Sequence, residues 1–230
     1  MKMRYGILCA MDEEIKALKL ELKAAKRTEI AGITFFEGTI NENEVVLVQS
    51  GIGKVQAGMT TGLLIAQFKA EVIINSGSAG GIGQGLHVGD VVLSTAAAYH
   101  DVDATVFGYL PGQLPQQPQK FEADSHLVET LKEAAEQNRQ HVEMGLIVTG
   151  DQFVASSDKI KAIKDIYPDV LCCEMEGAAV AQVAAQFKVP FAIVRAMSDT
   201  GNEEAETSFD EFIIEAGKKS AQMILNVLVK

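Results

Sequence analysis

What most restricts this chain is a recurring unit: a short, almost wholly apolar run closed by glycine, serine or an acidic residue, then a stretch with helical spacing. Residues 5–9, 45–48, 72–75, 91–93, 146–149, 170–173 and 191–195 are such runs. Apolar at successive positions, they predict strands covered on both faces rather than strands with one wet face. Helical patterns follow at 13–22, 55–68, 127–138, 159–167, 177–187 and 209–229. In the last of these, Phe209, Phe212, Ile213, Ala216 and Met223 form a stripe for docking onto a sheet. This alternation predicts an α/β fold with a mixed, largely parallel central sheet flanked by helices. No repeat or linker interrupts it, which predicts a single domain over residues 1–230. Residues 100–122 break the rhythm with Gly108, Pro111, Gly112, Pro115 and Pro118. A loop of that length points to function or to an interface.

Composition removes several classes of function. The net charge of −11 and the scatter of Lys and Arg argue against a nucleic-acid binder, which needs clustered cations for phosphates. Asp12, Glu13 and Glu14 interrupt any leader sequence, and no apolar run approaches the roughly 18 residues of a membrane span. A cytoplasmic protein is expected. Cys9, Cys172 and Cys173 sit in apolar runs without CxxC or Cys/His spacing, so they read as small buried hydrophobes rather than zinc ligands. His100-Asp101-Val102-Asp103 lacks a second histidine nearby and reads as loop hydrogen bonding. No metal or organic cofactor is expected.

Three acidic groups follow predicted strands: Asp12, Glu13 and Glu14; Glu174 and Glu176; and Asp199. Ligands of open α/β sheets sit beyond the carboxyl ends of strands, so segments distant in sequence could converge on one cleft at a shared sheet edge. Carboxylates there also cap helices, and spacing alone does not separate Glu14 from Asp12 or Glu13. The glycine-rich segments after residues 45–48 and 72–75 let backbone approach a ligand closely. Neither satisfies GxGxxG, because Leu86 and Gln56 occupy the last positions, and no Walker pattern or Gly-x-Ser-x-Gly elbow is present.

Many ordered blocks together resemble one family. They include Ala10-Met11-Asp12-Glu13-Glu14, Ser50-Gly51-Ile52-Gly53-Lys54-Val55, Asn75-Ser76-Gly77-Ser78-Ala79-Gly80-Gly81, Gly150-Asp151-Gln152-Phe153, Glu174-Met175-Glu176 and Arg195-Ala196-Met197-Ser198-Asp199. The chain resembles, nearly end to end, the bacterial 5′-methylthioadenosine/S-adenosylhomocysteine nucleosidases of the nucleoside phosphorylase superfamily. The resemblance implies Glu14 as the base that activates water, Asp199 as the acid for adenine N7, and Glu176 as the holder of the ribose hydroxyls. It implies Val154 backbone and a stacking Phe153 at adenine, Ser78, Ala79 and Gly80 as the floor, Met175 beside the sugar, and Ser198 orienting Asp199. Met11, Ile52 and Phe209 would surround the 5′-thio group. Phe107, Tyr109 and Pro115 would reach in from the second subunit of a homodimer. Arg195 would pair with ribose-side carboxylates such as Glu176.

The implied substrates are 5′-methylthioadenosine, S-adenosylhomocysteine and 5′-deoxyadenosine. Cleavage requires a protonated, desolvated Asp199 and an ionised Glu14, hence environments that push their pKa values apart. Phosphorolysis is the nearest rival, but no Arg stands near Asn75-Ser76 to receive phosphate. A non-catalytic nucleoside-binding protein on the same fold is the other alternative.

Overall fold

The computed structural model describes residues 3–137 and 141–228. The expected helix ends at Asn138 and Val229 lie outside the described residues. Among the described residues, ten strands form one sheet. β1 (Arg4–Cys9) pairs in parallel with β4 (Asn43–Gln49) and with β5 (Val72–Gly81), and β5 pairs in parallel with β10 (Phe191–Asp199). β6 (Val91–Tyr99), β8 (Val142–Thr149) and β9 (Val170–Glu174) form a second parallel group, running opposite to the first.

Two contacts join the groups. β10 lies antiparallel to β6, and the last residues of β5 meet β9 through Gly80↔Cys173 and Gly81↔Cys172. Strands β10, β6, β8, β9 and β5 therefore close into a ring, from which β1, β4, β3 and β2 extend. The sheet is mixed and flanked by helices, as expected. The single shared edge is not what forms, however. β9 runs against β1, β5 and β10, so its carboxyl end meets that of β5 head-on across the two-residue overlap, where Asp199 at the end of β10 also pairs with Gly80.

The apolar runs lie where both faces are covered. On one face, α2 (Lys54–Ala66) and α5 (Gly177–Phe187) bury Ala57, Leu64 and Val180 against Leu8, Ile73 and Ile193. On the other, α1 (Asp12–Glu21), α3 (Ser125–Gln137) and α6 (Ala205–Leu228) bury Ile15, Leu131 and Ile224 against Ile7, Ile74 and Val194. Each such side chain contributes about 1.5–3 kcal/mol by leaving water. The remaining α4 (Ser157–Ile166) places Ile163 in a third cluster with Val148 and Val170.

Three strands were not expected. β2 (Lys23–Ile30) and β3 (Ile33–Ile40) form a hairpin whose turn residues Ala31 and Gly32 both have positive φ, 53° and 76°. That backbone matches the twist of tight hairpins. The short β7 (Lys120–Glu122) pairs with β6 at the end of the 100–122 loop. The glycine-rich residues 76–81, expected to follow the strand at 72–75, continue it instead as part of β5.

Candidate active site

Glu14 lies in the first turn of α1. Asp12 and Glu13 are exposed, whereas Glu14 is 3% exposed. Its Oε2 accepts the backbone N–H groups of Ala10 and Met11 at 2.9 and 3.1 Å, and its Oε1 accepts the N–H and hydroxyl of Ser78, both at 3.0 Å. A Cβ at Gly77 would lie 2.8 Å from Glu14 Oε1 and 3.0 Å from Arg195 Nη1, and one at Gly80 would lie 2.8 Å from Asp199 Oδ1. The glycines of β5 thus make room for the carboxylates themselves. Ser220 of α6 pins this strand from behind, accepting the Gly77 N–H at 3.1 Å and bonding the Ser76 hydroxyl.

Asp199 ends β10 and is 2% exposed. Ser198 Oγ donates to its Oδ2 at 2.9 Å and the Gly201 N–H to its Oδ1 at 2.8 Å. Burial raises its pKa, and these two hydrogen bonds offset that only in part. The Glu14 pKa is also raised by burial, against the opposing pull of Arg195 and of the Ser78 and Met11 donors. Both carboxyls leave water, so burial is the leading cause of the shift in each and raises both above the ordinary carboxylate value. They differ in company. Arg195 acts on Glu14, and no cation figures among the influences on Asp199.

Glu176 stands at the start of α5, where its Oε1 accepts the Gly53 N–H at 2.9 Å. Burial and the charge of Glu174 push its pKa up to about 8. The Arg195 guanidinium is fully buried beneath these groups. Its closest carboxylate partner is Glu174, with Asn75 Oδ1 at 2.6 Å and Glu176 Oε2 farther off at 3.6 Å. The expected pairing with Glu176 is thus secondary. Glu174 also accepts the Thr149 hydroxyl and the N–H groups of Glu176 and Gly177. Sequence reasoning left Glu174 without a role, although two acids two residues apart at a strand end signalled a shared site.

Glu14, Glu176 and Asp199 line one cavity of about 340 Å³, a size suited to a small organic ligand. Ser78, Ala79 and Gly80 form its floor, with Ser198 beside Asp199. Met11, Ile52, Phe153, Val154, Met175 and Phe209 supply its apolar wall, where the Phe153 and Phe209 rings meet edge to face with centroids 5.6 Å apart. Ala10, Gln152, Cys173 and Glu174 also line it, and were not expected. Arg195 lies outside the lining. Phe107, Tyr109 and Pro115 are on the surface, away from this cavity, and Phe107 is 78% exposed. The three cysteines are free and buried. Among the described residues, no group of three His, Cys, Asp or Glu side chains could hold a metal ion.

A profile of the phosphorylase superfamily matches residues 4–229. A Staphylococcus carnosus protein named 5′-methylthioadenosine/S-adenosylhomocysteine nucleosidase is 47% identical over 223 residues, covering 97% of this chain and 98% of its own. The protein of that name from Actinobacillus succinogenes is 45% identical, covering 99% of each. In structure, the Neisseria meningitidis nucleosidase in complex with methylthio-immucillin-A superimposes with a TM-score of 0.97 at 44% identity, covering 98% of both chains. The Streptococcus pneumoniae nucleosidase with a transition-state inhibitor gives 0.95 at 49% identity, covering 99% of both.

Proposed function

The chain belongs to the phosphorylase superfamily and, within it, to the 5′-methylthioadenosine/S-adenosylhomocysteine nucleosidases, and from that membership we propose that it hydrolyses the N-glycosidic bond of 5′-methylthioadenosine, S-adenosylhomocysteine and 5′-deoxyadenosine. The products are adenine and the 5′-substituted ribose. Adenine leaves readily only when N7 is protonated, and Asp199, desolvated and without a cation, keeps a proton to give. As the bond stretches, positive charge grows on the anomeric carbon, and the buried carboxylates around it oppose that charge. Glu14 takes a proton from the attacking water. Its raised pKa makes it a stronger base than an exposed carboxylate. Four donors occupy Glu14, and only the Ser78 hydroxyl among them can rotate away to free a lone pair for water. Glu176 grips the ribose hydroxyls, and Phe153 and Val154 receive adenine.

One observation carries hydrolysis over phosphorolysis. The described residues lining the cavity include four carboxylates and no Lys or Arg, while Arg195 is engaged by Glu174 and Asn75. A phosphate dianion would meet repulsion where water meets a base. In phosphate-free buffer containing ¹⁸O-water, adenine release should proceed with the label in the sugar product. A strict requirement for phosphate, with a sugar 1-phosphate formed, overturns this reading.

The enzyme acts as a homodimer in which Phe107, Tyr109 and Pro115 complete the partner's cavity. Support comes from the exposure of Val55, Val106 and Phe107, none of which lines the chain's own cavity. It works in the cytoplasm on small nucleosides and not on nucleic acid. No helix among the described residues is long and apolar enough to cross a membrane.

A further inference from the structure

Three loops, leaving β4, β6 and β8, meet at one ammonium group just outside the cavity. Lys54 Nζ donates to both carboxylate oxygens of Asp101, at 2.9 and 2.8 Å, and lies 3.5 Å from Asp151 Oδ2. The Lys54 backbone N–H donates to Asp151 Oδ1 at 3.0 Å, and the Asp151 N–H donates to Asp101 Oδ2 at 2.9 Å. Lys54, Asp101 and Asp151 thus close a ring of hydrogen bonds, although none of the three lines the cavity.

The neighbours of this ring do line or serve it. Gly53, next to Lys54, directs its N–H at Glu176 Oε1. It does so from a φ of +98°, a backbone state open to glycine because it has no Cβ. On the other side, Asp151 leads into the wall residues Phe153 and Val154. Burial pushes the Asp101 carboxyl up, but Lys54 and the Asp151 N–H outweigh it and hold the carboxyl below its ordinary value. The group is therefore ionised at neutral pH, and its bonds to Lys54 are charge-assisted.

We propose that Lys54 is a positioning residue which, by fastening the Gly53 turn to Asp101 and Asp151, aims Glu176 at the ribose hydroxyls. This rests on the reading of Glu176 as the ribose carboxylate. The strands that carry these loops are already fixed by the sheet and its core clusters. Removing the ammonium frees the turn, not the fold.

The test compares 5′-methylthioadenosine with its 2′-deoxy analogue, because only the former offers both hydroxyls. In the Lys54→Met enzyme, kcat/KM for the ribose substrate should fall about 10- to 100-fold, the scale of a small misplacement remote from the chemistry. The 2′-deoxy analogue should lose far less, and Lys54→Met should add little in a Glu176→Gln background. A purely structural role would instead lower both substrates equally and add fully in the double variant, and either result overturns the proposal. If Glu176→Gln collapses the ribose preference and Lys54→Met does not, the positioning role alone falls. If Glu176→Gln leaves the preference intact, the ribose reading fails and takes this inference with it. Should Lys54→Met not fold, Asp101→Asn reads the same ratio, because it keeps the side chain and removes the charge that holds the ammonium.

Discussion

Glu14 and Ser78 are joined twice, since one carboxylate oxygen accepts both the backbone N–H and the hydroxyl of the serine at 3.0 Å. The base is therefore oriented by the cavity floor, at the far end of β5, as well as by its own helix. Glu14→Gln keeps the shape but sets an amide NH₂ against at least one fixed backbone N–H, those of Ala10 and Met11 or that of Ser78. Adenine release should fall by about 10²–10⁴, the usual worth of general base catalysis, while the protein remains folded. Single-turnover assays with circular dichroism check this. Near-normal turnover would remove Glu14 as the base.

Asp199→Asn should leave the Ser198 and Gly201 contacts largely in place but supply no proton for N7. Turnover should drop by about 10²–10⁴ while affinity for a substrate analogue changes far less. Equilibrium binding measured beside kcat separates the two. A matched loss of binding would show that Asp199 holds substrate rather than driving departure of the base.

Activity should be bounded on both sides in pH. Glu14 must be ionised, so kcat/KM falls as pH drops through its raised pKa, and Asp199 must be protonated, so it falls again as pH rises through its own. The acidic limb should therefore lie above the ordinary carboxylate range. A profile flat down to the ordinary range would contradict a desolvated base.

Stability has a pH dependence of definite sign. The folded-state pKa of Glu176 is raised from 4.5 to about 8, so within that window the unfolded chain is ionised and the folded one holds a proton. The group's contribution is intact below about pH 4.5 and is lost as pH rises toward 8. The Tm of the ligand-free protein should decline across that window, and Glu176→Gln should flatten the decline. An unchanged slope by scanning calorimetry would place Glu176 in its ordinary range.

Phe107→Asp should raise KM about tenfold or more, as loss of an interfacial aromatic anchor does, and weaken self-association. Sedimentation velocity run alongside the assay checks both effects. A fully active monomer would end the idea that the 100–122 loop serves a partner.

Legibility in the sequence followed burial. β1, β5 and β10 were readable because both faces are covered and each carries an unbroken apolar run, at residues 7–9, 72–74 and 191–194. β2 was not: residues 23–27 are exposed and read Lys-Ala-Ala-Lys-Arg, and only pairing with β3 makes them a strand. The choice of Glu14 over Asp12 and Glu13 left no local mark, since it depends on how α1 docks. The direction of β9 was equally silent, because strand pairing is settled between distant segments. The apolar wall residues, by contrast, were expected from the family's blocks and do line the cavity.

The overlap of Gly80 and Gly81 with Cys173 and Cys172 is the shortest pairing in the ring and also the place where the cavity is assembled. Opening that joint would carry Glu176 away from Asp199 while sparing the helices and most of the sheet. A chain in that state would look folded to any measure of secondary structure and yet be inert. Inactivation by warmth or denaturant should therefore run ahead of unfolding, with turnover acting as the most sensitive gauge of whether the ring is closed.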